Sequence, residues 1–285
     1  MVQKIDGVYF IIDCWHHRIL YSKNLGEPIY MWNTLTDDIR GGHTIASDGE
    51  LYLCDDTDYN AIRVFKKNGD RFKQTQIIGG IETRPHFVIY DKNTDRFFVL
   101  SSLGGILWII KNESGQAIIE RKVGIAEIKD TYVRSFSLID GFFYFISGNG
   151  FIWKVALDDS AYSVREKFAV PFELSGMNQI VKIGNYFYIT VYQDGSGAIV
   201  PDFVRIKDLS KLADSEYEKL YEIFGFKGTP YYITQFDERY FVTEIDGASG
   251  IKSFTVQKDR IENIRTHFFF DGHSAESEMR KMEKY

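Results

Sequence analysis

Short apolar runs alternate with turn residues along this chain, and one phrase of that pattern recurs. From Asp6 to Tyr21 it reads DGVYFIIDCWHHRILY: an Asp-Gly turn, a strand closed by a carboxylate, a tight polar loop and a second strand. Comparable turn residues precede Glu50–Asp55, Arg96–Ser101, Phe142–Ser147, Tyr186–Val191 and Arg239–Glu244. The period of about 45 residues is that of propellers and arrays.

The second copy shows the division most clearly. His43–Ser47 is a first strand, and Asp48-Gly49 is a hairpin turn of the pair that favours type I′ geometry. Leu51–Asp55 is the second strand, Ala61–Lys66 the third, and Phe72–Ile78 the fourth, after an Asn68-Gly69 turn. Four antiparallel strands repeated six times predict an all-β chain, a six-bladed β-propeller. Runs such as Phe142–Ile146 (FFYFI) do not alternate, as expected of strands packed on both faces. Outer strands such as Arg71–Gln76 mix in charge, as exposed edges do.

Two stretches depart from the repeat. The fifth copy carries a Gly-rich loop, Tyr192–Pro201, then one or two helical turns in Leu209–Glu216 and an outer strand Tyr217–Phe224. After a last strand Arg265–Phe270, Ser274–Lys284 reads as a short polar C-terminal helix with Ser274 as its cap. No linker separates two domains, so residues 1–285 read as a single propeller with a tail at 271–285.

Composition narrows the function classes. Hydrophobic residues make up 44% and charged ones 26%, values of a globular chain with a real core. The formal charge is −6 and no basic run occurs, which argues against nucleic acid and against an anionic membrane surface. The polar start Gln3-Lys4 shows no signal peptide, and no apolar run approaches the ~20 residues of a membrane span. Cys14 and Cys54 form no disulfide framework and read as reduced strand-end thiols in a cytoplasmic protein.

Asp13, His16, Arg18 and Ile19 resemble the repeat of the NHL family: an Asp ending the second strand, a polar residue, then Arg and Ile opening the third. Asp55, Asn60, Ile62 and Arg63 match it more loosely, and the other four copies lose the motif. The resemblance implies a propeller. The family includes RNA binders, protein-interaction modules, carbohydrate-associated proteins and zinc-dependent lyases, so it does not select a function.

Propeller geometry gathers two sets of residues at one rim. His43, His86, Ser135, Gln179 and Tyr232 begin inner strands, and His273 could join them; Asp13, Asp55, Ser101, Ser147 and Glu244 end second strands. Trp15, His16, His17, Arg134 and Asn178 lie in adjacent loops. Imidazoles, carboxylates and an Arg around one cavity suit a small polar molecule, such as a glycan, or a segment of a protein partner. The aromatics could stack on a sugar or wedge between blades, and the Asp residues could simply cap their own loops. His43, His86 and His273 could also hold a divalent ion, zinc or calcium, which would make a lyase or hydrolase the alternative reading. No GxSxG, P-loop, HExxH or CxxC occurs, so catalysis itself stays open.

Overall fold

A computed structural model of the chain describes residues 1–157, 161–245 and 250–269. The first sheet holds β1 (Val2–Ile5), β2 (Val8–Asp13), β3 (Arg18–Ser22) and β4 (Asn33–Thr36). The second holds β5 (Ile45–Ser47), β6 (Leu51–Asp56), β7 (Ala61–Asn68) and β8 (Arg71–Ile78). In the third are β9 (Pro85–Asp91), β10 (Arg96–Ser101), β11 (Ile106–Glu113) and β12 (Gln116–Gly124). The fourth has β13 (Phe136–Ile139), β14 (Phe142–Ser147), β15 (Phe151–Leu157) and β16 (Tyr162–Ala169). β17 (Gly176–Ile183), β18 (Tyr186–Gln193), β19 (Ile199–Ile206) and β20 (Glu218–Lys219) make the fifth. β21 (Thr229–Phe236), β22 (Arg239–Ile245), β23 (Gly250–Gln257) and β24 (Arg260–Phe269) make the sixth. Strands lie in sequence order within every sheet. Six such four-stranded blades are the pattern of an all-β six-bladed β-propeller.

The chain divides into two compact units. The first contains sheets one to three and most of the fourth; the second contains the fifth and sixth. β6 shows why the inner strands lack polar alternation. All six of its residues are buried. Leu51 and Leu53 enter a cluster with Val88 and Val99 of the third sheet, while Tyr52 and Cys54 enter one with Phe10 and Ile12 of the first. Successive side chains point to opposite faces, so a strand sandwiched between two blades must be apolar at every step. At roughly 1.5–3 kcal/mol for each fully buried large side chain, both clusters contribute substantially to stability. In the second unit, Tyr188, Phe203, Phe224, Val242 and Phe254 form the corresponding core.

The turns resolve into two kinds. Asp6-Gly7 and Asp140-Gly141 both have paired positive φ values, 49° and 76°, and 51° and 79°, as type I′ requires. At Asp48-Gly49 only the glycine has positive φ, and the Asp48 carboxylate accepts the N–H groups of Glu50 and Leu51 instead. That turn is therefore held by a side chain rather than by the type I′ backbone expected there.

A second device repeats between strands two and three. His17, Asn60, Gly105 and Gly150 each adopt a left-handed conformation. Their carbonyls accept hydrogen bonds from Ile39, Ile81, Ile125 and Val170 respectively, so each hairpin pins the chain leaving its own fourth strand. At Gly105 an added Cβ would stand 2.7 Å from Lys129 Cα and 2.9 Å from the Ile125 carbonyl oxygen. Gly105→Ala is expected to lower stability by about 2 kcal/mol through this overlap and its φ of +61°. A denaturant midpoint unchanged from wild type would refute that.

Several boundaries differ from the sequence reading. The loop placed at Tyr192–Pro201 shortens to residues 194–198, because β18 and β19 extend further and pair Gln193 with Ile199. Leu209–Lys211 forms a single 3-10 turn capped by the Asp208 carboxylate. The outer strand expected over Tyr217–Phe224 is only β20, and Tyr221–Phe224 forms a short helix, α1, whose Phe224 packs into the core. The C-terminal helix and His273 lie outside the described residues. Among the described residues, no helix is long and apolar enough to cross a membrane.

Candidate functional site

Asp55 and Asp56 are the last two residues of β6, and the strand aims them to opposite sides. Asp56 serves the Arg of its own hairpin rather than capping the turn that follows. It accepts from Arg63 Nε at 2.6 Å and from the Arg40 N–H at 2.8 Å, while burial lifts its carboxyl above the usual range against both donors. Asp13 does the same in the first sheet, accepting from His16 Nδ1 at 2.7 Å and Arg18 Nε at 2.8 Å. Burial would raise Asp13, but these two partners outweigh it and hold the carboxyl low. The 3-10 turns that follow, Cys14–His16 and Thr57–Tyr59, end at left-handed His17 and Asn60. The structural equivalents are thus Asp13 with Asp56 and His17 with Asn60, one residue away from the alignment on Asp55 and His16. Both strands are six residues long, and the offset comes from Glu50, an extra residue between the Asp48-Gly49 turn and β6.

Asp55 consequently has a different task. It is fully buried, and its carboxylate accepts the N–H groups of His43 at 2.9 Å and Thr44 at 2.7 Å. Thr44 Oγ1 donates to it at 2.7 Å, and His43 Nδ1 stands 3.2 Å away. Thr57 Oγ1 lies 3.1 Å from the same Nδ1 and donates to the Pro85 carbonyl at 2.6 Å. His86 stacks on the imidazole of His43, with centroids 3.7 Å apart and planes inclined by 23°. Its own Nδ1 donates to the Arg134 carbonyl at 2.8 Å. Tyr132 meets His86 edge-on, and the Arg134 guanidinium lies 5.0 Å over the Tyr132 ring.

The two imidazoles carry different charge. Burial opposes protonation of His43, yet its hydrogen bonds to Asp55 and Cys14 prevail and push it up to about 9. Burial, and then the positive charges of His43 and Arg134, drive His86 well below the ordinary imidazole value. A protonated ring thus stacks on a neutral one. A metal ion needs lone pairs converging in the ring planes. Both Nδ1 atoms are engaged, and among the described residues, which leave out His273, no three His, Cys, Asp or Glu are grouped to hold an ion.

The remaining rim residues separate. Trp15 is 64% exposed and His16 is exposed, so this indole does not wedge between blades. In the second unit the expected site residues work as struts. Asn178 Nδ2 donates to the Pro230 carbonyl at 3.0 Å, and Gln179 Oε1 accepts from the Ile233 N–H at 2.5 Å. Tyr232 is buried against Tyr231, and Glu244 accepts the Lys227 and Gly228 N–H groups. Sequence reasoning missed Thr44, Asp56, Thr57 and Cys14 as parts of the network. The adjacent carboxylates Asp55-Asp56 were the available signal, since two neighbours on a strand face opposite sides and must find different partners.

No family model matches the chain, and no curated protein matches it in sequence. Solved structures do resemble it. A candidate 6-phosphogluconolactonase from Bacteroides fragilis aligns with a TM-score of 0.63 at 12% identity, over 95% of this chain and 81% of its own. Another from Bacteroides uniformis gives 0.61 at 14%, over 90% and 80%. Saccharomyces cerevisiae Sqt1 gives 0.56 at 12%, over 90% and 70%. At such identities the likeness shows the propeller fold alone.

Proposed function

We propose that the cluster of His43, His86 and Asp55, with Trp15, His16 and Arg134 near it, binds a small hydroxylated ligand of the sugar-acid or sugar-phosphate class. One observation carries the reading. His43 is held in a single orientation by a buried carboxylate below and a stacked ring beside it, with its side chain 13% exposed, and the carboxylate favours its protonated form. A charge fixed before the ligand arrives loses little entropy on binding. The exposed Trp15 indole offers an apolar face of the kind that stacks on sugar rings. Two of the similar structures bear the name of a candidate 6-phosphogluconolactonase, which makes 6-phosphogluconate the first ligand to try.

Isothermal titration of the full chain with 6-phosphogluconate, gluconate and glucose tests this. Binding of an acidic sugar in the millimolar range or tighter, about −4 kcal/mol, is expected for wild type, with loss in His43→Gln. Trp15→Ala is expected to weaken it about tenfold while changing stability by less than about 0.5 kcal/mol. No heat with any of the three sugars would reject this ligand class.

A further inference from the structure

Cys14 begins the 3-10 turn that follows β2 and is half-buried. Its Sγ lies 3.9 Å from Nε2 of His43, while Nδ1 of the same ring lies 3.2 Å from Asp55 Oδ2. We propose that Cys14, His43 and Asp55 form a nucleophilic triad that takes an acyl group from an activated ester onto the Cys14 sulfur. Nucleophile, imidazole and orienting carboxylate stand in the sequence of contacts that such chemistry needs, whatever the fold.

Three observations support it. The imidazole is constrained on both edges and one face: by Cys14, by Asp55 with Thr57, and by the stacked His86. The carboxylate is itself fixed by two backbone N–H groups and the Thr44 hydroxyl, so it cannot swing away. The two cysteines also differ. Cys54 is fully buried, and burial pushes its thiol well above the ordinary range, whereas Cys14 has a cationic neighbour and access to solvent. The charged and titratable groups around this ring are Asp55, Cys14 and His86, with Arg134 behind His86 and the Met1 amine and Asp13 near Cys14.

The reacting form is a Cys14 thiolate beside protonated His43, the thiol proton having passed to water, and in the acylation step this sulfur attacks the carbonyl carbon. The S–C bond forms, the C–O bond to the leaving group breaks, and His43 Nε2 gives its proton to the departing oxygen. Water then attacks the thioester and yields a proton to His43 Nε2. The C–S bond breaks, the acid departs, and the sulfur again faces a protonated ring.

This triad does not rest on the sugar-binding reading. A chain that bound sugar acids and left Cys14 inert would overturn the triad alone. The test is p-nitrophenyl acetate added to the full chain. A stoichiometric burst of p-nitrophenolate is expected, with one acetyl group on the peptide that carries Cys14. The burst should vanish in Cys14→Ala and slow by about 100-fold or more in His43→Gln. Iodoacetamide gives a second measure that needs no acyl site. At pH 6, Cys14 should alkylate about tenfold faster than a free thiol, lose that advantage in His43→Gln, and leave Cys54 unlabelled. Absence of acetyl on Cys14, or alkylation at the free-thiol rate, would overturn the proposal.

Discussion

Replacing Asp55 with alanine should lower the unfolding free energy by about 3–5 kcal/mol, the range for removing one partner of a buried charged network. The physical account is specific. Two backbone N–H groups, of His43 and Thr44, lose their acceptor. The Thr44 hydroxyl loses one as well, although it also accepts from the Val88 N–H. Protonated His43 loses its counter-charge in a buried setting and must give up its proton or expose itself. Asp55→Asn keeps the shape and one acceptor, so it should cost less than the alanine variant. Urea unfolding followed by tryptophan fluorescence separates these outcomes. A loss below about 1 kcal/mol for Asp55→Ala would mean that the carboxylate is not the hub of this corner.

The second large effect is a dependence of stability on pH. In the folded chain His43 is raised from 6.5 to about 9. Its contribution is therefore complete below about pH 6.5 and lost as pH rises through about 9, and the shift corresponds to about 3 kcal/mol. His86 acts in the opposite sense. It is kept neutral in the folded state, so stability falls as pH drops below its ordinary value and the unfolded chain gains a proton that the folded one refuses. The Met1 amine, drawn down from 8.0 to about 6 by burial, also favours unfolding as pH falls through that interval. The diagnostic quantity is hence the difference between wild type and His43→Gln, measured from pH 6.5 to 9.5. Wild type should lose its advantage across that window. Histidine NMR at pH 7.5 should show one protonated ring, His43, stacked on a neutral one. Two neutral rings there, or parallel stability curves, would contradict the assignment.

The number and order of blades were legible because they depend on local chemistry. Turn residues at a regular spacing set where strands reverse, and apolar runs such as Leu51–Asp55 set what lies between them. The corrections came where side chains outvoted those signals. Phe224 had a core position waiting for it, so Tyr221–Phe224 coiled into a helix rather than extending as a strand. Asp48 satisfied its turn with a carboxylate, and the backbone had no need of type I′ angles. The rim was half legible. His43, His86 and Asp55 could be named from their strand ends, but not their pairing.

From the order of its amino acids alone, this chain specified six four-stranded blades and the ends at which His43, His86 and Asp55 would appear, since strand and turn preferences act over a few residues. The tertiary structure alone decided which of two adjacent carboxylates turns inward, which imidazole keeps a proton and which sulfur it meets. Those outcomes depend on distances of about 3–4 Å between residues far apart in sequence, where burial and charge act through space.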